Sequence, residues 1–197
     1  MIILTDVDGV LLNWNSAFEY YMGKEGYKLI GDQLNRYSLS KRFGVSREAM
    51  NEYINEFNNS KIISRLEPFK DAKKYVLKLV KDGFRFIAIT NIGDSSTSYE
   101  YRKQNLISVF GDIFDDIICL PVGTSKYEVL SRWEDTGLFW IEDKFSNALD
   151  GHSVGLNSIL IDADYNKDFS TTRFPRVSGE TPWEAIYDMI TEYYSSP

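Results

Sequence analysis

The apolar run Ile2-Ile3-Leu4 gives way almost at once to Asp6-Val7-Asp8-Gly9, and that junction constrains the chain more than any other stretch. The run has the make-up of a short buried strand. Positions i and i+2 of a strand point to one side, so Asp6 and Asp8 can converge on one small volume as the strand runs out. Gly9 lets the backbone turn sharply there and approach a ligand closely. Two carboxylates that close repel unless a cation or a shared proton relieves them, which points to a bound metal. Taken alone, the string is equally compatible with an exposed turn. It is not a calcium-binding EF-hand loop, which wants an oxygen ligand and then a glycine where Val10 and Leu11 stand.

Three further polar signals lie beside apolar stretches. Phe84-Arg85-Phe86-Ile87-Ala88-Ile89 ends in Thr90-Asn91, Lys126 opens the amphipathic segment 127–133, and Leu138-Phe139-Trp140-Ile141 ends in Glu142-Asp143-Lys144. Helical spacing separates these stretches. Pro68 begins a segment with Phe69, Ala72, Tyr75, Val76, Leu79 and Val80 on one side, stopped by Gly83. Further helices are expected over about 98–108 and 146–151, and strands over about 116–120 and 158–162. Such alternation implies an α/β fold: a Rossmann-like parallel sheet with helices on both faces and right-handed crossovers. Ligands of such sheets bind beyond the carboxyl ends of the strands, so the acids, the threonine and the lysine are expected to share one cleft. Thr181-Pro182-Trp183-Glu184 reads as a capping box with proline at the first helical position of a last helix.

The set and its order resemble the four signature motifs of the haloacid-dehalogenase-like phosphohydrolase superfamily: D-x-D-G-[TV], a strand ending in Thr or Ser, a lysine, and a late acidic pair. The resemblance covers about residues 1–12 and 68–165. It implies that Asp6 is the nucleophile and Asp8 the general acid/base. Thr90 would bind phosphoryl oxygens and Lys126 would balance their charge. Asp6, Asp143 and the main-chain carbonyl of Asp8 would hold Mg²⁺, and Glu142 is either an outer-shell group, the first choice, or a further ligand. The chemistry asks for the same residue types. A phosphate dianion repels an attacking carboxylate until cations neutralise both, and a carboxylate nucleophile splits one displacement into two. The partner is then a small-molecule phosphate ester and the activity a phosphoric monoester hydrolase, with a nucleoside monophosphate as the first choice on a likeness to deoxyribonucleotidases.

The resemblance divides the chain into a core, 1–12 and 68–197, and a helical cap insertion, 13–67. Trp14, Phe18, Tyr21 and Met22 recur at helical spacing in the cap, as do Met50, Tyr53, Ile54 and Phe57 beyond an expected N-cap at Ser46. Such stripes usually mark packing, but Trp14, Phe18 and Tyr21 are candidates to stack on a substrate base, alongside Gly9 and Asn91 in the cleft. Residues about 12–15 and 64–68 would form the hinges. Alternatives are a phosphatase of 3′-phosphorylated nucleic-acid ends, a catalytically silent phosphate- or metal-binding module, and a signalling receiver domain. The late acidic pair and the insertion count against a receiver, and Asp8 against a silent binder. A net charge of −7, from 22 Lys and Arg against 29 Asp and Glu, argues against a long nucleic acid. The single cysteine, Cys119, permits no internal disulfide and suits a reducing cytosol. Asp6 arrives too soon for a signal peptide, and no stretch is apolar enough to span a bilayer, so a cytoplasmic protein is expected. His152, the only histidine, follows Gly151 in a loop-like stretch and is read as structural.

Overall fold

The computed structural model describes residues 1–31, 38–170 and 172–195. Six parallel strands form one sheet in the order β3-β2-β1-β4-β5-β6. They are β1 (Ile2–Thr5), β2 (Arg85–Thr90), β3 (Phe114–Cys119), β4 (Phe139–Glu142), β5 (Asn157–Ile161) and β6 (Arg176–Val177). The helices of the core are α4 (Ala72–Lys81), α5 (Ser96–Phe110), α6 (Tyr127–Leu130), α7 (Phe145–Ser153) and α8 (Pro182–Ser195). The central strands carry buried residues on both faces, which is why they read as continuous apolar runs. β1 lies between β2 and β4, with Thr5 in register with Ala88 and Ile141, so the carboxyl ends of these three strands meet.

Several elements depart from expectation for local reasons. α5 is longer because the Ser95 hydroxyl accepts from Ser98 N at 3.0 Å and starts the helix earlier. The segment after Lys126 is a single α-turn followed by a 3₁₀ turn, Ser131–Trp133, in place of one helix. At α8 the expected cap at Thr181 is replaced by Asp71. Its two carboxylate oxygens accept from Trp183 N and Glu184 N at 3.1 and 2.9 Å. The Glu184 carboxylate accepts instead from the Tyr75 hydroxyl.

The insertion between β1 and α4 holds α1 (Trp14–Lys24), α2 (Leu39–Phe43), α3 (Arg47–Asn58) and a 3₁₀ turn, Lys61–Arg65. Residues 32–37 of the expected cap, and 171, 196 and 197 of the expected core, lie outside the described residues. Asn13 and Ser46 cap α1 and α3 through Ser16 N and Ala49 N. The chain enters and leaves the insertion side by side: Asn13 N donates to Glu67 O at 2.9 Å and Phe69 N to Leu11 O at 2.8 Å. One apolar cluster runs from Phe18, Met22 and Phe57 of the insertion through Val7 and Leu12 to Phe86, Ile141 and Trp183. Burying each such side chain is worth on the order of 2 kcal/mol. Trp183 Nε1 also donates to Val10 O at 2.8 Å, pinning α8 under the loop that carries Asp6 and Asp8. No helix among the described residues is long and apolar enough to cross a membrane.

Candidate active site

As β1 ends, Asp6 N still donates to Ile141 O at 2.8 Å, so the first acid stays tied to the sheet. The loop then closes tightly, with Leu11 N and Leu12 N both donating to Val7 O at 2.8 Å. Gly9 takes φ 80°, and a Cβ there would sit 2.0 Å from Asp143 Oδ2. Only glycine fits that position.

Lys126 is buried and stands between two acids, with Nζ 2.7 Å from Asp6 Oδ1 and 2.9 Å from Glu142 Oε2. The Trp140 ring lies beneath it, 5.0 Å from Nζ to centroid. Burial works against its charge, but Asp6 and Glu142 outweigh that effect and hold the lysine up to about 12. Glu142 is engaged by four donors. Oε2 accepts from Lys126 Nζ and Asn147 Nδ2, and Oε1 accepts from the backbone N–H groups of Asp143 and Lys144. Burial opposes its ionisation, yet Lys126 and these donors keep it below the usual carboxylate range. Glu142 therefore fixes the lysine and the turn, and has little left to offer a ligand.

Asp143 accepts from the Tyr165 hydroxyl, and its carbonyl accepts from Asn166 Nδ2 at 2.7 Å. Burial, reinforced by the Glu142 charge, pushes both Asp6 and Asp143 well above the ordinary range. Asp6, Glu142 and Asp143 each place an oxygen within 4.8 Å of the others. Three carboxylates thus crowd together, and the Lys126 ammonium group pairs with two of them, Asp6 and Glu142. That charge deficit, with an all-oxygen donor set, fits a hard divalent cation such as Mg²⁺.

Asp8 is held from behind. Arg102 Nη2 of α5 donates to its two oxygens at 2.6 and 2.9 Å. The arginine is fully buried, and its Nε and Nη1 have no partner among the described residues. Burial pushes Asp8 upward while Arg102 resists. The buried Thr90 hydroxyl is near enough to Asp8 to favour its charge, but makes no hydrogen bond of normal geometry.

Asp6, Asp8, Lys126, Glu142 and Asp143 together form one wall of a cavity of about 750 Å³ beneath the insertion. Asn91 and Trp14 also line it. The Asn91 amide is engaged by Pro121 O and Thr124, anchoring the loop 121–124 beside the site. Trp14 donates from Nε1 to Asn58 Oδ1 at 2.9 Å. Gly9 lies under Asp143 and Thr90 behind Asp8, neither lining the cavity.

The other two aromatic candidates are placed differently from expectation. Phe18 is fully buried, stacked on Trp14 and packed edge-on to Phe43 and Phe57. Tyr21 packs on Phe18 and Phe57 and donates to Glu56. Both build the interior of the insertion and neither lines the cavity, because the apolar stripe of α1 turns onto α3. His152 sits at the end of α7 against Phe174, away from the site. The sequence reading missed Arg102, Tyr165 and Asn58. A signal for Arg102 existed: Ser98, Arg102, Leu106 and Phe110 fall at i+4 steps, so the arginine occupies the buried stripe of its helix.

A parallel sheet of this order, with paired acids at the ends of β1 and β4 and a helical insertion between β1 and α4, is the haloacid-dehalogenase-like hydrolase fold, and the chain has that fold. A solved haloacid dehalogenase-like hydrolase from Streptococcus pneumoniae aligns with a TM-score of 0.62 at 19% identity, covering 95% of this chain and 97% of that one. Among curated proteins, the chain is 33% identical over 136 residues to an uncharacterized 32.4 kDa protein of Enterobacteria phage T4. The match takes in 66% of this chain and 48% of the phage protein, so the chain spans about half the length of that relative. It is 24% identical over 196 residues to a nucleotidase of Clostridium acetobutylicum, covering 98% of this chain and 94% of the nucleotidase. No family model matches the chain.

Proposed function

We propose that the chain is a Mg²⁺-dependent phosphatase of small phosphomonoesters, with a nucleoside monophosphate as the favoured substrate. The observation that carries this is the convergence of Asp6, Lys126 and Asp143, from the ends of β1 and β4 and the start of α6, on one wall of a single cavity. Lys126 balances charge at the phosphoryl group. Asp6 attacks phosphorus through a carboxylate oxygen as the bond to the ester oxygen breaks, and Asp8 gives its proton to the departing alkoxide. Asp8 then takes a proton from water, whose oxygen attacks the phosphoaspartate. The bond to Asp6 breaks and inorganic phosphate leaves. Mg²⁺, held by Asp6, Asp143 and the main-chain carbonyl of Asp8, would supply the positive charge that three carboxylates and a phosphate need beyond Lys126.

A nucleotide is favoured because a curated relative aligned over 98% of this chain is a nucleotidase, the aromatic Trp14 lines the cavity, and the volume suits a ligand of that size. The test is hydrolysis of an aryl phosphate and a panel of nucleoside and sugar monophosphates with Mg²⁺. Asp6→Asn should lower turnover by at least about 10³-fold while the fold survives, since Lys126 keeps Glu142 as a partner. EDTA should remove the activity and Mg²⁺ restore it. Wild-type turnover indifferent to chelation overturns the reading.

A further inference from the structure

The cap wall of the cavity has the opposite charge to the core wall. Lys41 and Arg42 of α2 and Arg47 of α3 line it, and among the described residues the acids that line the cavity, Asp6, Asp8, Glu142 and Asp143, all belong to the core wall, which also carries Lys126 and Lys144. Lys41 and Arg47 form no ion pair among the described residues. Arg42 is buried, with Nη2 donating to Glu19 at 2.8 Å, while its Nε has no partner among the described residues. Among the described residues one carboxylate, Glu19, therefore pairs with these three cations, in a chain whose net charge is −7. The shortage of acids here mirrors the shortage of cations around Asp6. An anion from outside would relieve it, and guanidinium forks suit phosphate oxygens. Trp14, Met50 and Ile54 line the same cavity and supply apolar surface.

We propose that this cap wall is a second anion site, which moves the preferred substrate from a nucleoside monophosphate to a phosphate ester whose leaving group bears a second phosphate. The proposal rests on the phosphatase reading only for which phosphate is cleaved; capture of the second anion does not depend on catalysis. The cap cations hold the distal phosphate, the apolar residues accept the organic middle, and the scissile phosphate faces Asp6 and Lys126. A terminal phosphate on a small molecule and the bridging phosphate of a short oligonucleotide end share this chemistry.

Calorimetric titration of Asp6→Asn protein with Mg²⁺ tests it, since removal of the nucleophile leaves binding to be read alone. The ligands are adenosine 5′-monophosphate, adenosine 3′,5′-bisphosphate and a 5′-phosphorylated dinucleotide. The bisphosphate, the dinucleotide or both should bind at least about tenfold more tightly than the monophosphate, as a charge-assisted phosphate contact predicts. The tighter of the two names the source of the second phosphate. Arg47→Ala together with Lys41→Ala should bring that ratio close to one. Lys73→Ala, an exposed site on α4 away from the cavity, should leave the ratio intact. Equal affinities for all three ligands, or a preference that survives loss of both cap cations, overturns the proposal. Aryl phosphate turnover by the wild type separates the two readings. A second-anion preference without turnover sinks the phosphatase and keeps the site, and turnover without the preference does the reverse.

Discussion

The Asp8–Arg102 pair makes position 8 matter to folding as well as chemistry. Arg102 is fully buried, whereas the Asp8 side chain keeps 23% of its surface open. The two deletions are therefore unequal. Asp8→Ala leaves an uncompensated guanidinium in the interior, at a cost of about 3–5 kcal/mol. Arg102→Met leaves a carboxylate that cavity water can still solvate, so its cost is smaller. It does, however, free Asp8 from the Arg102 Nη2 that holds both of its oxygens. If Asp8 protonates the leaving group, that looseness matters most for esters that need the proton. Arg102→Met should then slow hydrolysis of an alkyl phosphate at least about tenfold more than hydrolysis of p-nitrophenyl phosphate, whose leaving group departs without help. Denaturant titration of both variants and paired kinetics on the two esters check this. Equal losses on both esters would leave Arg102 a purely structural residue.

Elements were legible where a buried strand writes itself as an apolar run ending in polar residues, as at Thr90 and at Glu142-Asp143. They were less legible where a distant residue does the local work. Thr181-Pro182-Trp183-Glu184 has every local mark of a capping box, but the acceptor for the first turn of α8 is Asp71, more than 100 residues away. The exposed Thr181 hydroxyl only neighbours the Glu184 carboxylate. Arg102 was hidden for the same kind of reason, since its i+4 stripe places it inside without showing that Asp8 is what it meets. The caps can be ranked by experiment. Asp71→Ala should cost about 1–2 kcal/mol, the range of a lost N-cap. Thr181→Ala should stay within about 0.5 kcal/mol, as surface changes usually do. Chemical denaturation resolves the difference, and the reverse ranking would restore the local box.

At the scale of the molecule, the insertion reads in sequence as a separate helical piece, but its interior is continuous with that of the sheet. Trp14 and Phe18 share one face of α1, yet only Trp14 reaches the cavity; helical spacing selects the face and tertiary placement selects the residue. Polar ties cross the same boundary. Asn58 receives Trp14 Nε1 and donates to Ile92 O at 3.0 Å beyond β2, while Asn105 of α5 donates to Leu66 O at 3.0 Å. With buried apolar contacts running from Phe57 to Phe86 in one cluster, opening the insertion fully would expose core surface on both sides. Insertion and sheet should therefore unfold together. Scanning calorimetry should show one transition with a calorimetric to van't Hoff enthalpy ratio of about 1. Asn58→Ala, which leaves Trp14 Nε1 and Ile92 O unpaired in the interior, should lower that transition as a whole by about 1–3 kcal/mol without splitting it. Two resolved endotherms, or an Asn58→Ala variant in which only part of the heat moves, would mean that the insertion is an independent folding unit resting on the core.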